Sequence, residues 1–332
     1  MQFFKKAASL LFRFAISAAL LVFLFKFNKI DLHDLMRSIR SADKFYLFIA
    51  FLVTFLNYIL CLLRWDMLLK AKNINLSLKR VITSYSGGVF FSLFLPTSIG
   101  GDVVRTVDLG AHTGQHKKVL ASVLLDRLSG YVAAVLLSIA ALALGWKIMR
   151  NTSVVAFILA LAALLVCILL CIFNRFFYTR IKGLISSPKT GRLGEIISSL
   201  HEEMHFIRYH RKVVFYNIVL SLLVQAVTPV AYYITCISLG VNRDILYFFI
   251  FMPVIGALTL LPISIGGLGV RENMSVFFFS GIGVLQQTAL AMSLFNSFFL
   301  LVYGSIGGLV YVFTVHHRRI QHDKTSVVRS PA

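Results

Sequence analysis

The chain has 332 residues, of which 58% are hydrophobic and only 14% charged, and a mean hydropathy of +0.83. That is far more apolar surface than a soluble core of this length can hide, which excludes an ordinary soluble enzyme and points to an integral membrane protein. The formal charge of +20 would speak for nucleic acid in a soluble chain. Here it falls mostly between apolar runs, so it reads as membrane topology and no nucleic-acid partner is expected.

Taken in chain order, runs of about 20 apolar residues predict spans at 7–27, 45–63, 128–148, 154–173, 213–239 and 288–314. The first follows Lys5 and Lys6 like a signal peptide, but Phe25-Lys26-Phe27-Asn28-Lys29 offers no small-residue cleavage site, so it is expected to be retained. Lys and Arg crowd the segment 174–212 and the tail 316–332, which the positive-inside rule places in the cytoplasm, in a cell inner membrane with both termini cytoplasmic. The loop 26–44, with Lys26, Lys29, Arg37, Arg40 and Lys44, runs against that orientation. Cys61, Cys167, Cys171 and Cys236 have no paired or metal-like spacing and read as packing residues.

Two further apolar stretches, 81–95 and 246–261, are short, and each runs into a similar decapeptide. The first is Pro96-Thr97-Ser98-Ile99-Gly100-Gly101-Asp102-Val103-Val104-Arg105 and the second Pro262-Ile263-Ser264-Ile265-Gly266-Gly267-Leu268-Gly269-Val270-Arg271, with seven of ten positions identical. This is the mark of an internal duplication. With the basic segments cytoplasmic, the first short stretch enters and leaves from the cytoplasm and the second from outside. The expected fold is therefore all-α, with about six transmembrane helices and two oppositely oriented re-entrant hairpins in inverted halves, 45–148 and 213–314. Eight full transmembrane helices are the alternative.

The decapeptides carry chemistry. Proline stops a helix, adjacent glycines permit backbone conformations and close approaches denied to other residues, and freed N–H groups can face an anion. Unwound backbone within a membrane needs a cavity or protein to satisfy it. Ser98 and Ser264 add hydroxyls, and Arg105 and Arg271 add permanent charges suited to phosphate or carboxylate. With Gly100, Gly101, Gly266 and Gly267 these form a candidate anion site. Asp102 and Glu272 flank it, either pairing with the arginines or carrying a proton, and Asp126-Arg127, at the expected start of the 128–148 span, is either a local ion pair capping that span or a supporting charge of the site. Gln225, Thr228, Asn296 and Ser297 read as interhelical hydrogen-bonding groups.

One motif argues for another class. His201-Glu202-Glu203-Met204-His205 matches the zinc-protease pattern H-E-x-x-H. Leu193, Ile196, Ile197, Leu200, Met204 and Ile207 nevertheless recur at helical spacing, which puts the histidines on the solvated face of an amphipathic helix in the 174–212 loop. A membrane-embedded protease, a lipid-modifying transferase and a non-transporting scaffold stand as the rival readings.

The two decapeptides, with Leu124-Leu125-Asp126-Arg127 between them and Glu272 after the second, resemble the lysylphosphatidylglycerol synthase transmembrane-region, or flippase-like, family over nearly the whole chain. The resemblance implies a non-enzymatic membrane part that moves a lipid with a polar, anionic head between leaflets, without a cofactor. The aminoacyl-transferring domain joined to it in the best understood members is not expected within a sequence that stops at Ala332.

Overall fold

A computed structural model describes residues 15, 17, 19–20, 22–26, 30–95, 99–146, 152–173, 210–259, 264 and 266–328. The chain is all-helical, without strands among the described residues. The helices are α1 (Leu32–Arg40), α2 (Lys44–Ala71), α3 (Leu78–Phe94), α4 (Ile99–Thr113), α5 (His116–Leu144), α6 (Thr152–Phe173), α7 (Arg211–Ser238), α8 (Ile245–Thr259), α9 (Val270–Ser280) and α10 (Gln286–Val328). Among the described residues, four segments are long and apolar enough to cross a membrane: Lys44–Ala71, His116–Leu144, Arg211–Ser238 and Gln286–Thr314. These correspond to four of the six expected spans. The first expected span is described only in part, and of α6 the described apolar portion is Val155–Cys167. The amphipathic helix expected within 174–212, including His201 to His205, lies outside the described residues.

Two expected boundaries move, for one reason. The spans predicted at 45–63 and 128–148 belong to helices that run through Arg64 and Asp126. An apolar run stops at a charge, whereas a helix continues when the charge is neutralised by a partner inside the fold. Asp126, expected at the start of a span, therefore sits in the third turn of α5.

The chain divides into two compact units. The first comprises Met1–Ser41, Leu76–Leu109 and Leu258–Ala332, and the second Ala42–Asn75 and Gly110–Ala257. In the first unit α3 packs against α10 through small residues. A Cβ on Gly304 would run into Leu93, one on Gly308 into Phe90, and one on Gly87 into Tyr311. Gly304 and Gly308 have the small-xxx-small spacing that lets helix backbones approach closely in lipid. α3 ends at Leu95, whose φ of −79° and ψ of 148° are the extended conformation imposed on a residue before proline. α4 then returns along α3, and a Cβ on Gly101 would strike the Gly88 carbonyl oxygen. At 17 and 15 residues, roughly 25 and 22 Å, neither helix spans a hydrocarbon core of about 30 Å alone.

In the second unit α7 packs along α2 and α5. Asp43 caps α2 by accepting the Phe45 N–H at 2.8 Å, while its own N–H donates to the Ser238 carbonyl at 2.7 Å. Pro229 in α7 and Pro253 in α8 lie inside helices, as membrane helices tolerate.

Replacing Gly101 by Ala is expected to destabilise the α3–α4 hairpin by on the order of 1–3 kcal/mol, because backbone must move to admit the methyl. Gly256→Ala, where a Cβ meets nothing within 4 Å, is the control and should be neutral or slightly stabilising. Thermal unfolding of the two variants in detergent checks both.

Candidate headgroup site

Both decapeptides fall in the first unit, and there they take different conformations. In the first copy Gly100 and Gly101 lie in the opening turn of α4 and are helical. The expectation that both copies are unwound is corrected here: Gly101 serves close packing against Gly88, not an unusual backbone angle. In the second copy Gly266, Gly267 and Gly269 all have positive φ, of 58°, 78° and 85°, and α9 begins only at Val270. Here the turn does require glycine. The second turn lies against the end of α3, since a Cβ on Gly266 would stand 3.3 Å from the Leu93 carbonyl oxygen.

The two arginines are held differently. Arg105 is 4% exposed and donates through Nε to Asp102 Oδ1 at 3.1 Å, with Nη2 3.0 Å from the same oxygen. Its guanidinium lies 5.7 Å from the centre of the Tyr85 ring, and its stem passes over Gly88. Arg271 is half-buried, and its bonded partners are neutral: Nη2 donates to the Gly266 carbonyl at 2.9 Å and Nη1 to Ser297 Oγ at 3.2 Å. Glu272, fully buried, accepts the Gly269 N–H at 2.7 Å and the Ser297 hydroxyl at 2.9 Å, with Ser293 Oγ at 3.5 Å. The carboxylate thus reaches back to close the N-terminus of its own helix. Asn273 fastens the turn further, donating to the Gly269 carbonyl at 2.7 Å and to the Leu20 carbonyl at 3.0 Å. Ser264 is 4% exposed, and its hydroxyl has no hydrogen-bond partner among the described residues. Ser98 lies outside the described residues.

The sequence reading missed the pair that zips the hairpin. Arg80 in α3 reaches Asp108 in α4, with Nη2 donating to Oδ1 at 2.9 Å and to the backbone carbonyl at 3.1 Å, and Nη1 2.8 Å from Oδ2. Asp102, Arg105 and Asp108 recur every three residues along α4, a spacing that could have revealed the polar face. Ser297 joins α10 to α9 as expected of an interhelical group, and Asn296 donates to the Met292 carbonyl.

Asp126 and Arg127 belong to the second unit. Asp126 Oδ1 accepts Arg64 Nε at 2.7 Å, and Arg64 Nη1 donates to Ser221 at 3.1 Å, so α5, α2 and α7 meet at one buried junction. Trp65 donates to Ser122 at 3.2 Å beside it, and Gln225 donates to the Gly130 carbonyl at 2.9 Å. Arg64 was not singled out because its partner Asp126 lies 62 positions away in the sequence. Among the described residues no three His, Cys, Asp or Glu side chains are grouped to hold a metal ion.

This arrangement, one glycine–arginine motif drawn into a helix and its repeat in a glycine turn, lies within a segment matched by a family model, the lysylphosphatidylglycerol synthase TM region, across residues 10–308. The chain belongs to that family. The chain is similar to a UPF0104 membrane protein of Pyrococcus horikoshii, 22% identical over 77% of this chain and 82% of the relative. It is also similar to two UPF0104 membrane proteins of Methanothermobacter thermautotrophicus. One is 24% identical over 84% of this chain and 85% of the relative, and the other 25% identical over 76% and 80%. The family and these relatives make the chain a multi-pass membrane protein.

Removing one partner of the Arg64–Asp126 junction strands a buried charge. Asp126→Ala should therefore cost about 3–5 kcal/mol, and the double variant Arg64→Met/Asp126→Leu should recover most of it. Chemical unfolding of the three proteins in mixed micelles supplies the double-mutant comparison.

Proposed function

We propose that the chain moves a lipid with an anionic headgroup between the leaflets of the cell inner membrane by alternating access, performing no catalysis of its own. In this reading 45–148 and 213–314 are inverted halves whose re-entrant hairpins face each other, and both termini are cytoplasmic. One observation carries it: Arg271 stands at a turn of three left-handed glycines, its guanidinium bonded to a carbonyl and a hydroxyl. A permanent cation with neutral partners gains a charge-assisted, bidentate bond when a phosphate arrives. The unpartnered hydroxyl of Ser264, two residues before the turn, supplies a further donor.

Arg105 plays the second part. Its guanidinium is already engaged by Asp102, so a headgroup must compete with that carboxylate. The partners are membrane lipids, and the family's own description names an enzyme of phospholipid chemistry, in which a headgroup phosphate is the shared feature. The H-E-x-x-H segment lies outside the described residues, and no observation at the site favours a protease, a transferase or a scaffold.

Lipid-extract mass spectrometry on gently purified protein tests the reading. Wild type should retain an anionic lipid that the Arg105→Ala/Arg271→Ala protein loses, and an unchanged lipid profile would refute the site. Asp102→Asn should retain more of the same lipid than wild type, by roughly the tenfold or so that losing one competing charge-assisted bond allows.

A further inference from the structure

The two carboxylates that flank the decapeptides have different surroundings, and the difference bears on what drives the headgroup site. Asp102 is neutralised by the guanidinium of Arg105, a permanent cation. Glu272 is fully buried, and the groups bonded to it are neutral: a backbone N–H and the hydroxyls of Ser293 and Ser297. A serine hydroxyl rotates, donating to a carboxylate or accepting from a carboxylic acid. The surroundings of Glu272 therefore satisfy it with or without a proton. The charged group tied to this network is Arg271, through Ser297, which accepts from the guanidinium and donates to the carboxylate. Among the described residues, the elements packed on the turn contribute uncharged groups at this point: Ser293 and Ser297 from α10, Thr259 beside Gly267, and the Ser17 and Leu20 backbone beside Gly269.

Resting on the headgroup reading above, we propose that Glu272 is the proton-binding carboxyl of that site, and that a proton and an anionic headgroup bind together. While Glu272 is ionised, its charge offsets that of the neighbouring Arg271. Taking a proton from water onto a carboxyl oxygen forms one O–H bond, breaks no other covalent bond and leaves Arg271 a net cation for the phosphate. Linkage requires the converse, that a bound phosphate holds the proton on Glu272. Departure of the headgroup restores the Arg271 charge and returns the proton to water. A lipid carried in this way travels with the proton, from the more acidic side of the membrane to the more alkaline.

The test uses the full chain in detergent, with dioctanoyl-phosphatidylglycerol as the anionic probe and dioctanoyl-phosphatidylcholine as the neutral control. Titration calorimetry in buffers of different ionisation enthalpy reads affinity and proton exchange together. Wild type should bind the anionic probe up to about tenfold more tightly per unit fall in pH, taking up roughly one proton per lipid. Glu272→Gln, a neutral isostere able to accept the Gly269 N–H, should bind at the wild-type low-pH affinity at every pH, with no proton uptake. Binding by wild type without proton uptake overturns the proposal, as does uptake that survives in Glu272→Gln. Should the variant fail to fold, infrared difference spectra of the wild type decide. A protonated-carboxyl band appearing with the anionic probe and not the neutral one supports the proposal, and no such band overturns it. Arg271→Ala separates the two readings. If it binds the probe as wild type does, the headgroup site itself is wrong, whereas binding that needs Arg271 but moves no proton defeats the coupling alone.

Discussion

A guanidinium inside a membrane fold has no bulk water to return to, so each buried arginine must find its anion or its dipoles within the protein. Most of what is distinctive in this chain follows from where those partners lie. Arg64 takes Asp126 and Ser221, and thereby fixes α2, α5 and α7 to one another. Arg80 takes Asp108, and Arg105 takes Asp102, so that α3 and α4 return on each other with their charges inward. Such pairs are weak as sources of stability, since desolvation offsets most of their attraction, but they are strict about geometry. A slip of one residue along either helix would leave a charge stranded.

Close helix approach is the second requirement, and it serves the first. Gly88 lets the stem of Arg105 lie across α3, and Gly101 lets the α4 backbone come near enough for that contact. Gly304 and Gly308 do the same between α10 and α3. In lipid, where apolar burial gives little advantage, this contact area and the buried polar bonds hold helices together.

These two requirements account for what the sequence disclosed. The helical class, the long spans and the short stretches at 81–95 and 246–261 all follow from runs of apolar residues, and runs are local. The duplicated decapeptide was equally plain. Partners were not, because pairing is not local: Arg64 and Asp126 lie 62 positions apart, and Arg80 and Asp108 lie 28 apart. The charges that cut predicted spans short at 63 and 128 are the ones that cancel in the fold. Arg271 and Glu272 were legible as polar residues beside glycines, yet nothing local could show that Ser297, on another helix, links them.

The decapeptides diverge at few positions, and those positions explain why near-identical sequences make unlike sites. Where the second copy has Gly269 at a φ of 85°, the first has Val103, which adopts that conformation only at a cost. The first helix therefore starts earlier, at Ile99, and draws its glycines into its opening turn. Where the second copy has Leu268, the first has Asp102, an acid well placed for a helix N-terminus and one turn from Arg105. One arginine is thus bonded directly to its counter-charge, whereas the other reaches Glu272 only through Ser297. In the proposed cycle a phosphate meets Arg271 without an ion pair in place, whereas at Arg105 it meets a guanidinium already bonded to Asp102. Two of the three differences within ten residues, at Asp102 and Val103, thus give the duplicated arginines unlike surroundings.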